Sequence, residues 1–145
     1  MTSTNLTIPN LSELEAGVWT SGQPNPQQLA QAKEAGFKSV ITLCPKGECG
    51  WDEQGAVEQL DMRYVCVPIS SGGDLTEAAA RTLHDVLESS PKPVLVHCGS
   101  ANRVGALFAL KAHFVDGHAP DAALQHGRRA GLTGLEAAVR QILRG

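Results

Sequence analysis

The segment PVLVHCGSANRVGALFAL, residues 93–110, changes character twice along its length. It opens with the apolar run Val94-Leu95-Val96, passes through a loop of small and polar residues, and ends in apolar residues at helical spacing. A run that is apolar on both faces is typical of a buried parallel strand. Strand, tight turn and helix in this order predict one unit of an α/β fold.

Outward from this segment, the same alternation of strand and helix runs along the rest of the chain. Three short polar side chains, Asn25, Asp74 and Thr133, each stand three residues before Gln or Glu, which predicts N-caps. Because crossover helices cover both faces of a parallel sheet, we expect a three-layer α/β sandwich whose central, mainly parallel sheet has four to five strands. The predicted strands are 17–20, 39–43, 64–67 and 93–97, and the predicted helices are about 26–35, 75–89, 103–116, 120–130 and 134–143, with a further candidate from Trp51 onward.

The bulk composition fits one globular domain. The chain has 145 residues, 42% of them hydrophobic, so we assign residues 1–145 to one domain and expect residues 1–10 to be flexible. A net charge of -3 argues against nucleic acid or an anionic membrane as a partner. The N-terminus lacks the charge and apolar run of a signal peptide, and no segment has membrane-spanning length, so we expect a cytoplasmic protein.

The four cysteines, Cys44, Cys49, Cys66 and Cys98, form no CxxC pair, which predicts reduced thiols. A zinc site made from Cys44, Cys49 and a histidine is an alternative, but the spacing matches no common ligand pattern. The sequence therefore predicts neither a metal nor a cofactor. Cys66 lies inside an apolar run and is interpreted as a small core residue.

The loop between the strand and the helix carries the chemistry. In a parallel sheet, ligands bind at the carboxyl ends of the strands, and a helix N-terminus favours negative charge. Cys98 lies there and is predicted to be a thiolate nucleophile, because the loop N–H groups and Arg103 stabilise a negative sulfur. Arg103 is also expected to hold two oxygens of an oxyanion in a bidentate fork. The predicted substrate-binding residues are His97, Gly99, Ser100, Ala101, Asn102 and Arg103.

Two stretches of the sequence are similar to a known family: Trp19-Thr20-Ser21-Gly22-Gln23-Pro24, continuing through 29–43 to Pro45-Lys46-Gly47-Glu48, and the loop and helix from His97 to Leu107. With these stretches the sequence resembles the beta-lactamase-hydrolase-like phosphatase domain family of the cysteine-phosphatase superfamily. The resemblance spans about residues 8–143. It implies a phosphatase-like fold, of the kind found in protein tyrosine and dual-specificity phosphatases, and hydrolysis of a phosphomonoester through a phosphocysteine at Cys98.

The chain departs from the usual phosphatase loop at two points. Four residues separate Cys98 from Arg103, where phosphatases have five, and the shorter spacing is characteristic of rhodanese-type sulfurtransferases that carry a cysteine persulfide. Val104 replaces the Ser or Thr that helps the thiolate to leave when the intermediate is hydrolysed. Three functions therefore stay open: a phosphatase, a sulfurtransferase using a Cys98 persulfide, and a non-catalytic anion-binding module.

A phosphatase also needs a general acid to protonate the leaving group. Asp74 is the predicted acid, because it follows the 64–67 strand in a loop with two glycines, and its alternative role is the N-cap of the next helix. Further candidates are Glu48, Asp52 and Glu53, of which Glu48 is preferred because it follows a strand closely.

His97 is interpreted as a buried residue that orients the loop. Cys44 ends a predicted strand as Cys98 does, so a reversible disulfide between them is a further hypothesis. The expected partner is a phosphorylated or other oxyanion substrate, and the sequence predicts no oligomeric state.

Overall fold

One five-stranded sheet organises the structure, a computed structural model that describes residues 6–144. The strand order is β1-β2-β5-β3-β4, and every pairing is parallel except that of β1 with β2. β5 therefore lies in the middle, between β2 and β3. The strands are β1 (Ser12–Glu15), β2 (Val18–Ser21), β3 (Ser39–Thr42), β4 (Arg63–Cys66) and β5 (Val94–His97).

Six α-helices connect and cover the strands, so the predicted α/β architecture with a mainly parallel sheet is confirmed. Two apolar clusters lie in the core: one includes Val96 and Leu107, the other Leu95 and Val40. Neighbouring residues of β5 thus bury side chains in different clusters, as expected for a strand covered on both faces. The helices are α1 (Pro26–Glu34), α2 (Glu53–Gln59), α3 (Glu77–Ser89), α4 (Asn102–Phe114), α5 (Pro120–Ala130) and α6 (Glu136–Arg144).

Local capping chemistry explains where two of the helices begin. Asn25 forms the predicted capping box with Gln28, and Pro26 occupies the first turn of α1. The prediction that Asp74 caps a helix from residue 75 is wrong. Thr76 accepts from the N–H of Ala79 and caps α3, while Asp74 ends a short 3-10 turn at Gly72–Asp74.

The described part of the N-terminal segment packs against the domain. Residues 1–5 of the predicted flexible stretch 1–10 lie outside the described residues. Within residues 6–10, Ile8 is buried, and the Pro9 carbonyl accepts a hydrogen bond from the N–H of Gly22. This segment therefore lies beside the loop that follows β2. Among residues 6–144, no helix combines the length and the apolar character needed to cross a bilayer.

A glycine contact fixes α4, the helix that begins at the Cys98 loop, against its neighbours. A Cβ added at Gly105 would lie 2.0 Å from the Leu132 nitrogen and 2.6 Å from the Gly127 carbonyl oxygen. Both of these atoms belong to the backbone, so neither can swing aside as a side chain would. The backbone of Gly105 therefore approaches those of Gly127 and Leu132 more closely than any side chain would permit. This contact positions the start of α4.

We expect Gly105→Ala to destabilise the fold by about 1–3 kcal/mol, the usual cost of overpacking a rigid core site. The measurement is the denaturant midpoint compared with that of Gly134→Ala. At Gly134 an added Cβ would make only an ordinary contact of 3.6 Å with the Asn102 side chain. Equal midpoints for the two variants would contradict the proposed backbone contact.

Candidate active site

The loop 98–103 leaves the central strand and leads directly into α4. Cys98 follows β5, is fully buried, and donates its N–H to the Ser21 carbonyl oxygen over 3.3 Å. Within residues 6–144, the N–H groups of Gly99, Ser100 and Ala101 donate to no protein acceptor. Gly99 and Ser100 are also exposed. The loop thus offers free donors beside the cysteine, at the N-terminus of a helix, which suits a bound anion.

Ala101 gives the loop its tight turn. It has a left-handed backbone, with φ of +75°, and it is the residue immediately before α4. This conformation costs an L-residue about 1–2 kcal/mol, so the surroundings must enforce it. Gly131 provides the support: a Cβ at Gly131 would lie 2.5 Å from the Ala101 Cβ, so the two backbones are packed closely.

The segment after β2 supports the loop from the other side. The Gln23 N–H donates to the Gly99 carbonyl oxygen over 3.1 Å, and a Cβ at Gly22 would lie 2.8 Å from the same oxygen. The Asn10 side chain donates to the Ser100 carbonyl oxygen over 3.1 Å. These contacts engage the carbonyl oxygens of Gly99 and Ser100 and hold this part of the loop in place.

Arg103 lies one residue into α4, with its guanidinium held by two elements. Its Nη1 donates to Glu48 Oε1 over 2.9 Å and its Nη2 to Glu48 Oε2 over 2.6 Å, which makes a bidentate pair. Nη1 also donates to the Ile69 carbonyl oxygen over 2.9 Å. The hydrogen bonds from Arg103 hold the pKa of Glu48 below its usual 4.5, so the carboxylate is ionised at neutral pH.

His97, the residue before Cys98, is held by hydrogen bonds that run through Glu53 to Gln23. Its Nε2 lies 2.5 Å from Glu53 Oε2, so the two side chains are hydrogen-bonded. The Gln23 side chain donates to Glu53 Oε1 over 3.1 Å. Glu53 is 4% exposed and lies in the first turn of α2. His97 is buried, as predicted. Both carboxyl oxygens of Glu53 are engaged, Oε1 by Gln23 and Oε2 by His97.

Cys44 lies beside the same guanidinium at the end of the neighbouring strand. Its Sγ lies 3.8 Å from Arg103 Nη2 and 3.8 Å from Gln23 Oε1. Burial raises the pKa of Cys44 to about 12, so this thiol is protonated at neutral pH. All four cysteines are free thiols in the structure. Among residues 6–144, no three side chains of the metal-binding types converge on one point.

Two predicted site residues have side chains that are already engaged. Asn102 Oδ1 accepts from the N–H groups of Thr133 and Leu135, at 2.9 and 3.2 Å, so this side chain fixes the start of α6. The Asp74 carboxylate accepts from the N–H groups of Ser70 and Ser71, at 2.8 and 3.4 Å. The turn at Gly72–Asp74 begins three residues after Ile69, whose carbonyl oxygen accepts a hydrogen bond from Arg103.

The sequence interpretation missed the parts of the site that come from distant elements. It treated Glu48 and Glu53 only as possible acids and gave Gln23 no role, although Gln23 and Glu48 lie inside the quoted resemblance. No local pattern links these three residues to the 97–103 loop. They meet only because β2, β3 and β5 are neighbours in the sheet.

The Glu48–Arg103 pair predicts competition between a carboxylate and an incoming oxyanion. Glu48→Gln removes the competing charge, so sulfate is expected to bind about two- to fivefold more tightly at pH 7, as for a partly exposed ion pair. Calorimetric titration with sulfate measures this effect. Because the pKa of Glu48 is lowered, the difference from wild type is fully present at neutral pH and disappears as acid protonates Glu48.

The matched control for that titration is Glu34→Gln. It changes the net charge equally at an exposed position near the end of α1. Its sulfate affinity is expected to equal that of wild type. An unchanged affinity in Glu48→Gln would contradict the assignment of Glu48 as a competitor for Arg103.

Comparison with known proteins identifies the family of the chain. The profile of the family "Beta-lactamase hydrolase-like protein, phosphatase-like domain" matches residues 11–114, which include both the 21–23 support and the 98–103 loop. The chain belongs to this family. Beta-lactamase hydrolase-like proteins of Xylella fastidiosa (strain 9a5c) and Agrobacterium fabrum (strain C58) are 35% identical over 102 residues and 30% identical over 95 residues.

These relatives are much longer than the present chain. The aligned regions cover 67% and 62% of this chain but only 23% and 22% of the Xylella and Agrobacterium proteins. The chain therefore spans about a quarter of the length of the curated relatives that it matches.

Solved structures show the same fold. Tk-PTP in its active form superposes with a TM-score of 0.70 at 20% identity, covering 94% of this chain and 97% of Tk-PTP. Pseudomonas aeruginosa TpbA, solved with phosphotyrosine, gives a TM-score of 0.68 at 21% identity, covering 99% of this chain and 88% of TpbA. A DUF442 protein of Shewanella putrefaciens CN-32 gives 0.71 at 22% identity, with coverage of 94% and 92%. The family domain thus has a tyrosine-phosphatase-like fold.

Proposed function

We propose that the protein is a cysteine-dependent phosphomonoester hydrolase with Cys98 as its nucleophile. The observation that carries this proposal is the loop itself. Within residues 6–144, the N–H groups of Gly99–Ala101 have no protein acceptor and directly follow Cys98, and the Arg103 guanidinium lies beside Gly99, in a domain with a phosphatase-like fold. Donors arranged in advance stabilise the negative charge that develops on a phosphoryl group in the transition state.

The reaction follows from these parts in two displacements. The Cys98 thiolate attacks phosphorus, the sulfur–phosphorus bond forms, and the bond to the leaving oxygen breaks as that oxygen takes a proton. Water then attacks the phosphocysteine, the sulfur–phosphorus bond breaks, inorganic phosphate leaves, and the thiolate returns. Arg103 holds two phosphoryl oxygens throughout, after the phosphoryl group has replaced Glu48 at the guanidinium.

Two carboxyl groups are candidates for the proton donor. Asp74 is supported by its place in the turn after Ile69, whose carbonyl contacts Arg103, although its carboxylate is now held by backbone N–H groups. Glu48 is supported by its direct contact with Arg103. Once displaced by a phosphoryl dianion, Glu48 would lose a cation and gain an anion as neighbour, and both changes raise the pKa of a carboxyl group.

A second candidate function is sulfur transfer, and the length of the loop favours it. Only four residues separate Cys98 from Arg103, and the buried Val104 supplies no hydroxyl for the leaving thiolate. In this reaction the Cys98 thiolate attacks the outer sulfur of thiosulfate, sulfite leaves, and a persulfide forms. Cyanide then takes the outer sulfur as thiocyanate and restores the thiolate. No general acid is required for either step.

Two assays on the same preparation test these proposals. One follows release of para-nitrophenol from para-nitrophenyl phosphate, an aryl phosphate like the phosphotyrosine bound by TpbA. The other follows thiocyanate formed from thiosulfate and cyanide. Turnover of the aryl phosphate supports the hydrolase, and turnover in the second assay alone moves the function to sulfur transfer. Failure of both assays while sulfate still binds would leave an anion-binding module and overturn both catalytic proposals.

A further inference from the structure

A cavity lies near the active-site loop, at the same edge of the sheet. It has a volume of about 540 Å³ and is lined where β3 and β4 end, by Thr42, Cys44, Tyr64 and Cys66. No residue of the 97–103 loop lines it. Ligand sites in parallel α/β sheets lie at the carboxyl ends of the strands, and a volume of this size is typical of small-molecule sites.

The cavity reaches the anion site through Cys44. This residue lines the cavity and also places its Sγ 3.8 Å from Arg103 Nη2. The outer wall is the loop that follows Cys44, with Pro45, Lys46 and Gly47, and the next residue is Glu48, which binds Arg103. A molecule whose anion lies at Arg103 therefore has the cavity on the other side of Cys44.

The cavity is lined by aromatic side chains and by polarisable cysteine sulfurs. Trp51 is one of two tryptophans in the chain and Tyr64 is the only tyrosine, and both line the same space. Three of the four cysteines, Cys44, Cys49 and Cys66, line it as well. Aromatic faces and polarisable sulfur pack favourably against planar apolar groups. A concentration of these residue types in one cavity, in a chain with so few aromatic residues, indicates a binding surface for such a group.

The interior of the cavity carries no free charge at neutral pH. Burial raises the pKa of Cys44, Cys66 and Tyr64, so these groups stay protonated and neutral. The buried carboxylate of Glu53 is already bonded to His97 and Gln23. An anion would find no unpaired donor in this interior comparable with Arg103, and Lys46 and Asp52 in the flanking loop are of opposite sign.

We propose that this cavity is a separate binding site for an uncharged, planar apolar group, carried by the substrate whose anion binds at Arg103. The assignment of its occupant to the substrate rests on the proposed function, whereas the binding site itself does not. The apolar group occupies the space between Trp51 and Tyr64, at the side of the anion loop and not above Cys98.

The binding site is tested with 2-naphthol, a neutral bicyclic aromatic probe. The chain has two tryptophans, and Trp19 packs against Phe37 away from the cavity. In the Trp19→Phe variant, tryptophan fluorescence therefore comes from Trp51 alone. We expect 2-naphthol to quench Trp51, and saturating sulfate to leave the affinity unchanged because the two sites are distinct. By calorimetry, Trp51→Leu is expected to weaken 2-naphthol binding about tenfold, and Cys49→Phe, which fills the cavity from the loop, by at least as much.

Three results would overturn the binding site: no binding of 2-naphthol, displacement of 2-naphthol by sulfate, or equal affinity in wild type and both variants. Sulfate affinity in the variants is the control for folding and is expected to match that of wild type.

The link to the substrate is tested by comparing 4-phenylbutyl phosphate with butyl phosphate. We expect kcat/KM to be about tenfold higher for the phenyl compound in wild type and about equal for the two in Trp51→Leu. Equal values in wild type would overturn the substrate assignment. If neither ester is hydrolysed although para-nitrophenyl phosphate is, the substrate assignment is overturned. If para-nitrophenyl phosphate is not hydrolysed either while 2-naphthol binds, the proposed hydrolase fails and the binding site stands.

Discussion

Replacing Cys98 by serine is expected to lower turnover by about 10³-fold or more in whichever of the two assays wild type is active, because a serine hydroxyl does not ionise near neutral pH. Sulfate should still bind with nearly wild-type affinity. The N–H groups of Gly99–Ala101 and the Arg103 guanidinium hold the anion, and the substitution leaves them in place. Initial rates and calorimetry on the same preparation measure both effects.

The combination of lost turnover and retained sulfate binding distinguishes a nucleophile from a structural residue. Cys98 is fully buried, so a purely structural role would appear as a lower thermal midpoint and weaker sulfate binding together. Turnover that survives in Cys98→Ser would exclude Cys98 as the nucleophile.

The second large effect is expected at Arg103, where Arg103→Lys should lower kcat/KM by about 10²-fold. Lysine keeps the positive charge but presents a single ammonium, whereas the Arg103 guanidinium reaches both Glu48 oxygens and the Ile69 carbonyl oxygen. The same fork is needed for two oxygens of a substrate. Steady-state kinetics and sulfate titration check this prediction.

Arg128→Lys is the matched control for Arg103→Lys. Arg128 also makes a bidentate pair, with Glu136, but on the surface between α5 and α6. Its kinetics are expected to stay within about twofold of wild type, because exposed ion pairs contribute little. Equal kinetics for the two lysine variants would contradict a specific requirement for the guanidinium fork.

The strands and helices that the sequence predicts are those marked by a pattern of neighbouring residues. The four parallel strands each contain a short apolar or β-branched run, which makes them predictable, and β3 and β5 are buried along their whole length. β1 (Ser12–Glu15) was not predicted, because it reads SELE and pairs at the edge of the sheet, where polar side chains meet solvent. The start of α3 was misplaced because Asp74 and Thr76 both have capping side chains, and only the folded turn decides between them.

The active site also has a part that the sequence predicts and a part that it does not. Cys98 and Arg103 lie five positions apart in one strand–loop–helix unit, so their proximity could be predicted from sequence alone. The contacts from Glu48 to Arg103 and from Glu53 to His97 span 55 and 44 positions of the chain. They depend on the order β2-β5-β3, which brings three strand ends together. Sequence patterns indicate local structure only. These two contacts were not predicted because they join residues that are distant in the chain.

The most direct test of the account is the mass of the protein after rapid acid quench during turnover. The account predicts one adduct, about 80 Da for a phosphoryl group or about 32 Da for an added sulfur, and fragmentation that places it on Cys98. The adduct should be absent from Cys98→Ser. Turnover without any adduct on Cys98, or with the adduct on Cys44 beside Arg103, would contradict the central claim that Cys98 is the nucleophile of this loop.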